Sequence, residues 1–265
     1  MPTATLTSSS IYYELSQPDG ESQGRVLVIP GTGSDLRRLP SSFGWPGSES
    51  LEVLSYEHRG LGRSQPLTAE PPAMTDFARD ALELADHVGW PAFSVVGISF
   101  GGMVAQHLAL LAAERVERLA LVVTSGGGAL GSSYPVHELY ELAVEDRVER
   151  WANLLDTRAG EWPELAAALR EYMRQDTAGK APSEGLLAQL EARRGHDVSA
   201  RAGELAMPCL VLAGRHDGIA PPERAEKLAA AIPDARLAIL DGGHGVLLQD
   251  PFTWPLIASF LTTGL

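Results

Sequence analysis

Phe93-Ser94-Val95-Val96-Gly97-Ile98-Ser99-Phe100-Gly101-Gly102-Met103 is the stretch whose reading decides the fold. Apolar and β-branched residues run into a Gly-x-Ser-x-Gly turn, and the turn runs into Met103-Val104-Ala105-Gln106-His107-Leu108-Ala109-Leu110, a helix-forming segment. A serine at such a strand-to-helix turn sits on strained backbone that pushes its Oγ out of the sheet. Glycines at 97, 101 and 102 remove Cβ atoms that would collide with the neighbouring strand and helix. The backbone N–H groups that open the helix face the same space, where a developing oxyanion can be held. Glycine and serine are common, so the five-residue pattern alone is weak. The strand before it and the helix after it are the context the chemistry requires.

Working outward towards the N-terminus, residues 3–16 read as two short strands, of which Ile11 to Leu15 is the clearer. Arg25 to Ile29 is a continuous apolar run of the kind buried in a parallel sheet, and Pro30 to Asp35 is a loop leading towards a short helix. That loop lacks the lysine and the glycine spacing of a phosphate cradle. Leu51 to Tyr56 is the next strand, and Glu57 to Ser64 is a glycine-rich charged turn. Thr75 is expected to cap a helix whose apolar positions Phe77, Ala81, Leu84, Ala85 and Val88 follow the 3.6-residue period, with Gly89 as terminator.

Towards the C-terminus, Val116 to Val123 is another apolar strand. Residues 133–204 then contain no convincing strand and several helical stretches: His137 to Leu155, Pro163 to Met173 and Glu184 to Arg193. The βαβα rhythm returns with strand Pro208 to Ala213, helix Pro222 to Ile232 and strand Ala235 to Leu240. Asp250 is expected to cap a closing helix with Pro251 at its first position. The pattern predicts an α/β fold, a mostly parallel sheet with helices on both faces. Its core spans residues 1–132 and 205–265, and residues 133–204 form a helical cap insertion.

A serine alone is a poor nucleophile; it needs a base to take its proton and a carboxylate to orient the base. In open α/β sheets such groups gather at the carboxyl ends of strands. Ser99, Asp217 and His244 each stand just after a predicted strand, in the order Ser…Asp…His. Each has a plainer reading: Asp217 lies in a turn sequence that aspartate and glycine favour by themselves, and six other histidines exist. His58 reads as a structural histidine, and His216 adjoins Asp217 too closely along the chain for the needed geometry. The three together are far more specific than any one.

The whole chain of 265 residues carries a formal net charge of -13, with 45% hydrophobic and 21% charged residues. These proportions suit a soluble globular domain, and the acidity argues against a nucleic-acid or anionic-membrane partner. The single cysteine, Cys209, lies in the apolar run Met207 to Leu212 and reads as a buried strand residue. The N-terminus lacks the basic flank and apolar core of a secretory signal, and no run has the length of a membrane span, so a cytoplasmic location is expected.

At this point the sequence resembles the α/β-hydrolase superfamily, serine-nucleophile members, over nearly its whole length. Gly97 to Gly102 resembles the nucleophile elbow, Gly214 to Pro221 the acid loop and Gly243-His244-Gly245 the histidine loop. Tyr56 to Ser64 resembles the family's Asp-x-Arg-Gly-x-Gly-x-Ser turn, with Glu57-His58 at its head. Ser34 to Arg37 and Glu114 to Leu119 are similar to stretches of the 3-oxoadipate enol-lactonase and carboxylesterase-type group. The resemblance implies an α/β-hydrolase fold with Ser99 as nucleophile, His244 as base and Asp217 as its orienting acid. By position it makes the backbone N–H groups of Thr32 and Phe100 the oxyanion hole. Where many relatives carry His-Gly after the third strand, this chain has Pro30-Gly31. The implied activity is hydrolysis of a small carboxylic ester or lactone, with Tyr140, Trp151 and Trp162 of the cap as substrate-binding candidates. No metal and no organic cofactor is implied. The alternatives on the same residues are carbon–carbon bond hydrolysis, cofactor-free perhydrolysis, or a small-molecule receptor with slow turnover.

Overall fold

A computed structural model of the chain describes residues 2–37, 42–65, 70–175 and 182–264. The strands are β1 (Thr3–Thr5), β2 (Ser10–Ser16), β3 (Arg25–Ile29), β4 (Glu52–Tyr56), β5 (Phe93–Ile98), β6 (Val116–Val122), β7 (Cys209–Gly214) and β8 (Ala235–Leu240). They form one sheet in the order β1-β2-β4-β3-β5-β6-β7-β8. The β1–β2 and β2–β4 pairings are antiparallel and every other pairing is parallel. β3 shows why a continuous apolar run was needed. Leu27 and Ile29 face one core, with Phe77, Leu84, Val104 and Leu108, while Val26 and Val28 face the other, with Trp254, Ile257 and Phe260. Both faces of the sheet are covered by helices, so both sets of side chains must be apolar. Cys209 is buried, and burial pushes its thiol up to about 12, which leaves it an inert core residue.

The helices on the sheet are α1 (Met74–His87), α2 (Phe100–Leu111), α6 (Pro222–Ala231), α7 (Val246–Gln249) and α8 (Thr253–Thr263). Between β6 and β7 the described residues form helices and turns and no strand. They include α3 (Val144–Leu155), α4 (Pro163–Gln175) and α5 (Glu184–Arg194) around a small core of Val136, Leu139, Val148, Trp151, Leu186 and Leu190.

Three boundaries differ from the sequence reading. Thr75 does not cap α1: the helix begins at Met74 and the Asp76 carboxylate accepts the N–H of Ala73 at 2.8 Å. A carboxylate inside the first turn does what a capping hydroxyl before it would have done. The expected helix over residues 137–155 is two pieces, a 3₁₀ segment Val136–Glu141 and α3, separated by extended backbone at Leu142 and Ala143. Glu145 and Asp146 stand in the first turn of α3, where the helix dipole favours acidic side chains. Asp250 accepts the N–H of Phe252 in a turn, and α8 starts only at Thr253; the short α7 precedes it.

Candidate active site

Ser99 joins β5 to α2 with φ 55 and ψ −115, left-handed backbone that a non-glycine residue adopts only when its surroundings dictate it. Those surroundings are tight. The Ser99 N–H donates to the Val122 carbonyl at 2.9 Å, and the Thr124 hydroxyl donates to the Ser99 carbonyl at 2.8 Å. A Cβ at Gly101 would lie 2.0 Å from the Ile29 carbonyl oxygen, and one at Gly97 would lie 2.7 Å from Ala105 Cβ. Glycine at both positions lets β3, β5 and α2 close on the turn and lift the serine hydroxyl above the sheet.

The other two groups arrive from the ends of β7 and β8. His244 Nε2 lies 2.9 Å from Ser99 Oγ, and His244 Nδ1 lies 2.7 Å from Asp217 Oδ2. Because a carboxylate only accepts, Nδ1 carries the proton towards Asp217 and Nε2 is left to accept from the serine hydroxyl. Asp217 is buried, and its second oxygen accepts the N–H groups of Ile219 at 2.7 Å and Ala220 at 2.9 Å. The turn contacts and the contact with His244 therefore fall to different oxygens of one carboxylate. Helix α3 ends against both loops: the Leu154 carbonyl accepts the Gly218 N–H at 2.9 Å and the Leu155 carbonyl accepts the His244 N–H at 2.6 Å. The last carbonyls of a helix have no partner within it, so the two loops and the helix end satisfy one another.

Pro30 to Gly33 pass beside the serine: a Cβ at Gly31 would lie 3.6 Å from Ser99 Cβ. Among the described residues neither the Thr32 N–H nor the Phe100 N–H is taken by a protein acceptor. The loop is held from two sides. His58, buried among Tyr56, Phe77 and Phe100, donates from Nε2 to the Pro30 carbonyl at 3.0 Å, and Gln189 of α5 accepts the Gly33 N–H at 2.8 Å. Burial pushes His58 down to about 4, so it is a neutral donor at working pH.

A cavity of about 450 Å³ opens over Ser99 and His244. Ile98, Val123, Leu155, Met173 and Ile219 make much of its wall apolar, and Thr32, Tyr140 and Trp151 line it. Trp162 does not. It is 52% exposed in the turn before α4, with its ring under the Arg158 guanidinium at 4.9 Å. Arg158 is tied in turn to the buried Asp156 at 2.7 Å, which fixes the tryptophan on the outer surface. An aromatic residue just ahead of a helix-opening proline gives no sequence signal of which way it faces.

The family model described as the alpha/beta hydrolase fold matches residues 47–251. The chain belongs to that family. A curated relative from Caulobacter segnis, named "Putative carbamate hydrolase RutD", is 30% identical over 263 residues, 94% of this chain and 95% of the relative. Among solved structures, a hydrolase from Pseudomonas aeruginosa PA01 is 25% identical, with TM-score 0.77 over 100% of this chain and 98% of that one. The enol-lactonase from Burkholderia xenovorans LB400 shares the fold at 23% identity, TM-score 0.76, over 97% and 98% of the two chains. The protein is thus an enzyme, a hydrolase of the α/β type, and no described helix is long and apolar enough to cross a membrane.

Sequence reading of this α/β-hydrolase missed its supporting residues. Gln249 accepts the Gly243 N–H at 2.7 Å and donates to Asp156 at 3.0 Å, tying the histidine loop to the end of α3. Burial raises the Asp156 carboxyl, but the Arg158 hydrogen bonds outweigh it and hold the group below the usual range. Gln189 and Arg193 reach the site from α5, about 90 residues beyond Ser99 in the chain, and no local motif marks either.

Proposed function

We propose that this hydrolase cleaves a carboxylic ester or lactone of a small organic substrate through an acyl-enzyme on Ser99. One observation carries the proposal: hydroxyl, imidazole and carboxylate stand in an unbroken hydrogen-bonded line, 2.9 Å and 2.7 Å, facing a largely apolar cavity. His244 Nε2 takes the Ser99 proton as Oγ attacks the substrate carbonyl, and Asp217 stabilises the imidazolium that forms. The Thr32 and Phe100 N–H groups receive the oxyanion, an interaction whose loss costs about 3 kcal/mol per donor. His244 then protonates the departing alkoxide, which in a lactone stays tethered to the acyl group, and activates the water that frees Ser99. Residues 133–204 serve as the cap, with Tyr140 and Trp151 as its substrate-facing wall. A volume of about 450 Å³ suits a small molecule better than a polymer.

A panel containing p-nitrophenyl esters, an enol-lactone, an aryl carbamate and a dienoate diketone tests the reaction class. The carbamate belongs in it because curated relatives are named for carbamate hydrolysis and the carbonyl is attacked in the same way. Esters or lactones should turn over in the wild type and lose about 10⁵-fold or more in Ser99→Ala. Undiminished turnover in Ser99→Ala, cleavage of the diketone alone, or binding without turnover would each overturn the assignment.

A further inference from the structure

Other buried or half-buried arginines among the described residues are paired with a carboxylate or with an aromatic face. Arg59 meets Asp80 at 2.6 Å, Arg63 meets the fully buried Glu57 at 2.5 Å, and Arg147 lies over the Tyr140 ring at 5.0 Å. Arg193, near the end of α5, differs from these. It is 9% exposed and lines the cavity, yet it forms no ion pair with any described residue. Its Nη2 donates to the Ser133 hydroxyl at 2.6 Å and to the Tyr134 carbonyl at 2.9 Å, both neutral acceptors. The N–H groups on Nε and Nη1 have no acceptor among the described residues.

The nearby negative charge is that of Asp217, but the oxygens of that carboxylate already hold His244, Ile219 and Ala220. Burial pushes Arg193 down to about 10, with Asp217 opposing, so the side chain remains cationic at neutral pH. A buried charge without a counter-ion is costly unless something supplies one. Setting His244 aside, Arg193 is the sole basic side chain among the described residues of the wall.

We propose that Arg193 is a specificity-determining residue that receives a carboxylate carried by the substrate, so that the enzyme acts on half-esters or lactones bearing a free acid. The Nε and Nη1 N–H groups, which Ser133 and Tyr134 leave without an acceptor, each offer a charged donor to a carboxylate oxygen. The Asp35 carboxylate is taken by Arg37 and that of Asp217 by His244, so the single charge of Arg193 matches a monoanion and leaves a phosphate dianion half uncompensated. The proposal rests on Ser99 hydrolysis taking place in this cavity and adds the chemistry of the group bound beside it.

The test compares monomethyl and dimethyl esters of succinate, glutarate and adipate, pairs that differ by the charge of one end. The wild type should favour the half-ester of at least one length, by a ratio of kcat/KM that falls about 10- to 100-fold in Arg193→Gln, mainly through KM. Arg193→Lys, which keeps the charge and loses the fork, should keep part of the preference. A wild type that prefers the diesters throughout, or an Arg193→Gln protein that loses both members of a pair equally, overturns the proposal; the latter would make Arg193 a support for Asp217. Binding of the same pairs to Ser99→Ala, read by calorimetry, separates the two levels of the argument. Tighter binding of the half-ester, abolished by Arg193→Gln, upholds the anion site even where no ester turns over. Equal binding of both members sinks it whatever the turnover.

Discussion

His58 shows what a single side chain contributes. The loop carrying Thr32 is secured through its backbone: His58 Nε2 donates to the Pro30 carbonyl at 3.0 Å. Its ring also fills the space between Tyr56, Phe77 and Phe100. His58→Ala should therefore cost about 2–4 kcal/mol in denaturant unfolding. It should also lower kcat more than it raises KM, because the Thr32 N–H proposed to receive the oxyanion would be misplaced where it is needed most, in the transition state. His58→Gln, which keeps a donor, should recover part of kcat. A kcat unaltered in the folded alanine variant would mean that the loop is held without His58. The sequence marks His58 as structural, but not what it supports, because Pro30 lies 28 residues earlier and on another strand end.

At the scale of elements, β3 to β6 were legible because a buried parallel strand has to be apolar on both faces, and glycine has to stand where Ile29 and Ala105 close on the elbow. Helix ends were less so. An acidic residue three positions into α1, the break at Leu142 and Ala143, and the turn at Asp250 are each settled by which backbone groups lack partners locally. The same accounting explains why the end of α3 clamps the acid and histidine loops, and why Gln249 matters. Gln249→Leu removes the acceptor of the Gly243 N–H and a donor to Asp156. We expect a loss of about 1–3 kcal/mol in stability and a fall in kcat with little change in fold, as read by denaturant titration and steady-state kinetics. An unchanged kcat would show that the Leu155 carbonyl alone fixes His244.

For the whole molecule, two buried histidines set a limit on the acid side. His58 and His196 are both held near 4, His58 by burial in its aromatic cluster and His196 by burial against Ser125, with His107 at 3.2 Å. Burial also lowers His107. Above pH about 6.5 the folded and unfolded chains both carry these groups neutral and nothing is lost. Between about 6.5 and 4 the unfolded chain binds protons that the folded chain refuses, so stability falls by about 1.4 kcal/mol per pH unit for each histidine. His58→Gln or His196→Gln should flatten that slope in urea unfolding at pH 5 against pH 7; an equal slope in wild type and variants would contradict it. No reading of the sequence places His107 against His196, since 89 residues separate them and only the packing of residues 195–197 beside α2 brings them together.

The central claim concerns one oxygen atom, and the most direct measurement is peptide mass mapping of the protein after reaction with a fluorophosphonate. The adduct should lie on Ser99 at one equivalent per chain. His244→Ala should suppress labelling, because the imidazole beside Ser99 Oγ at 2.9 Å would be gone. An adduct on any other residue, or labelling of Ser99 at full rate without His244, would contradict the assignment.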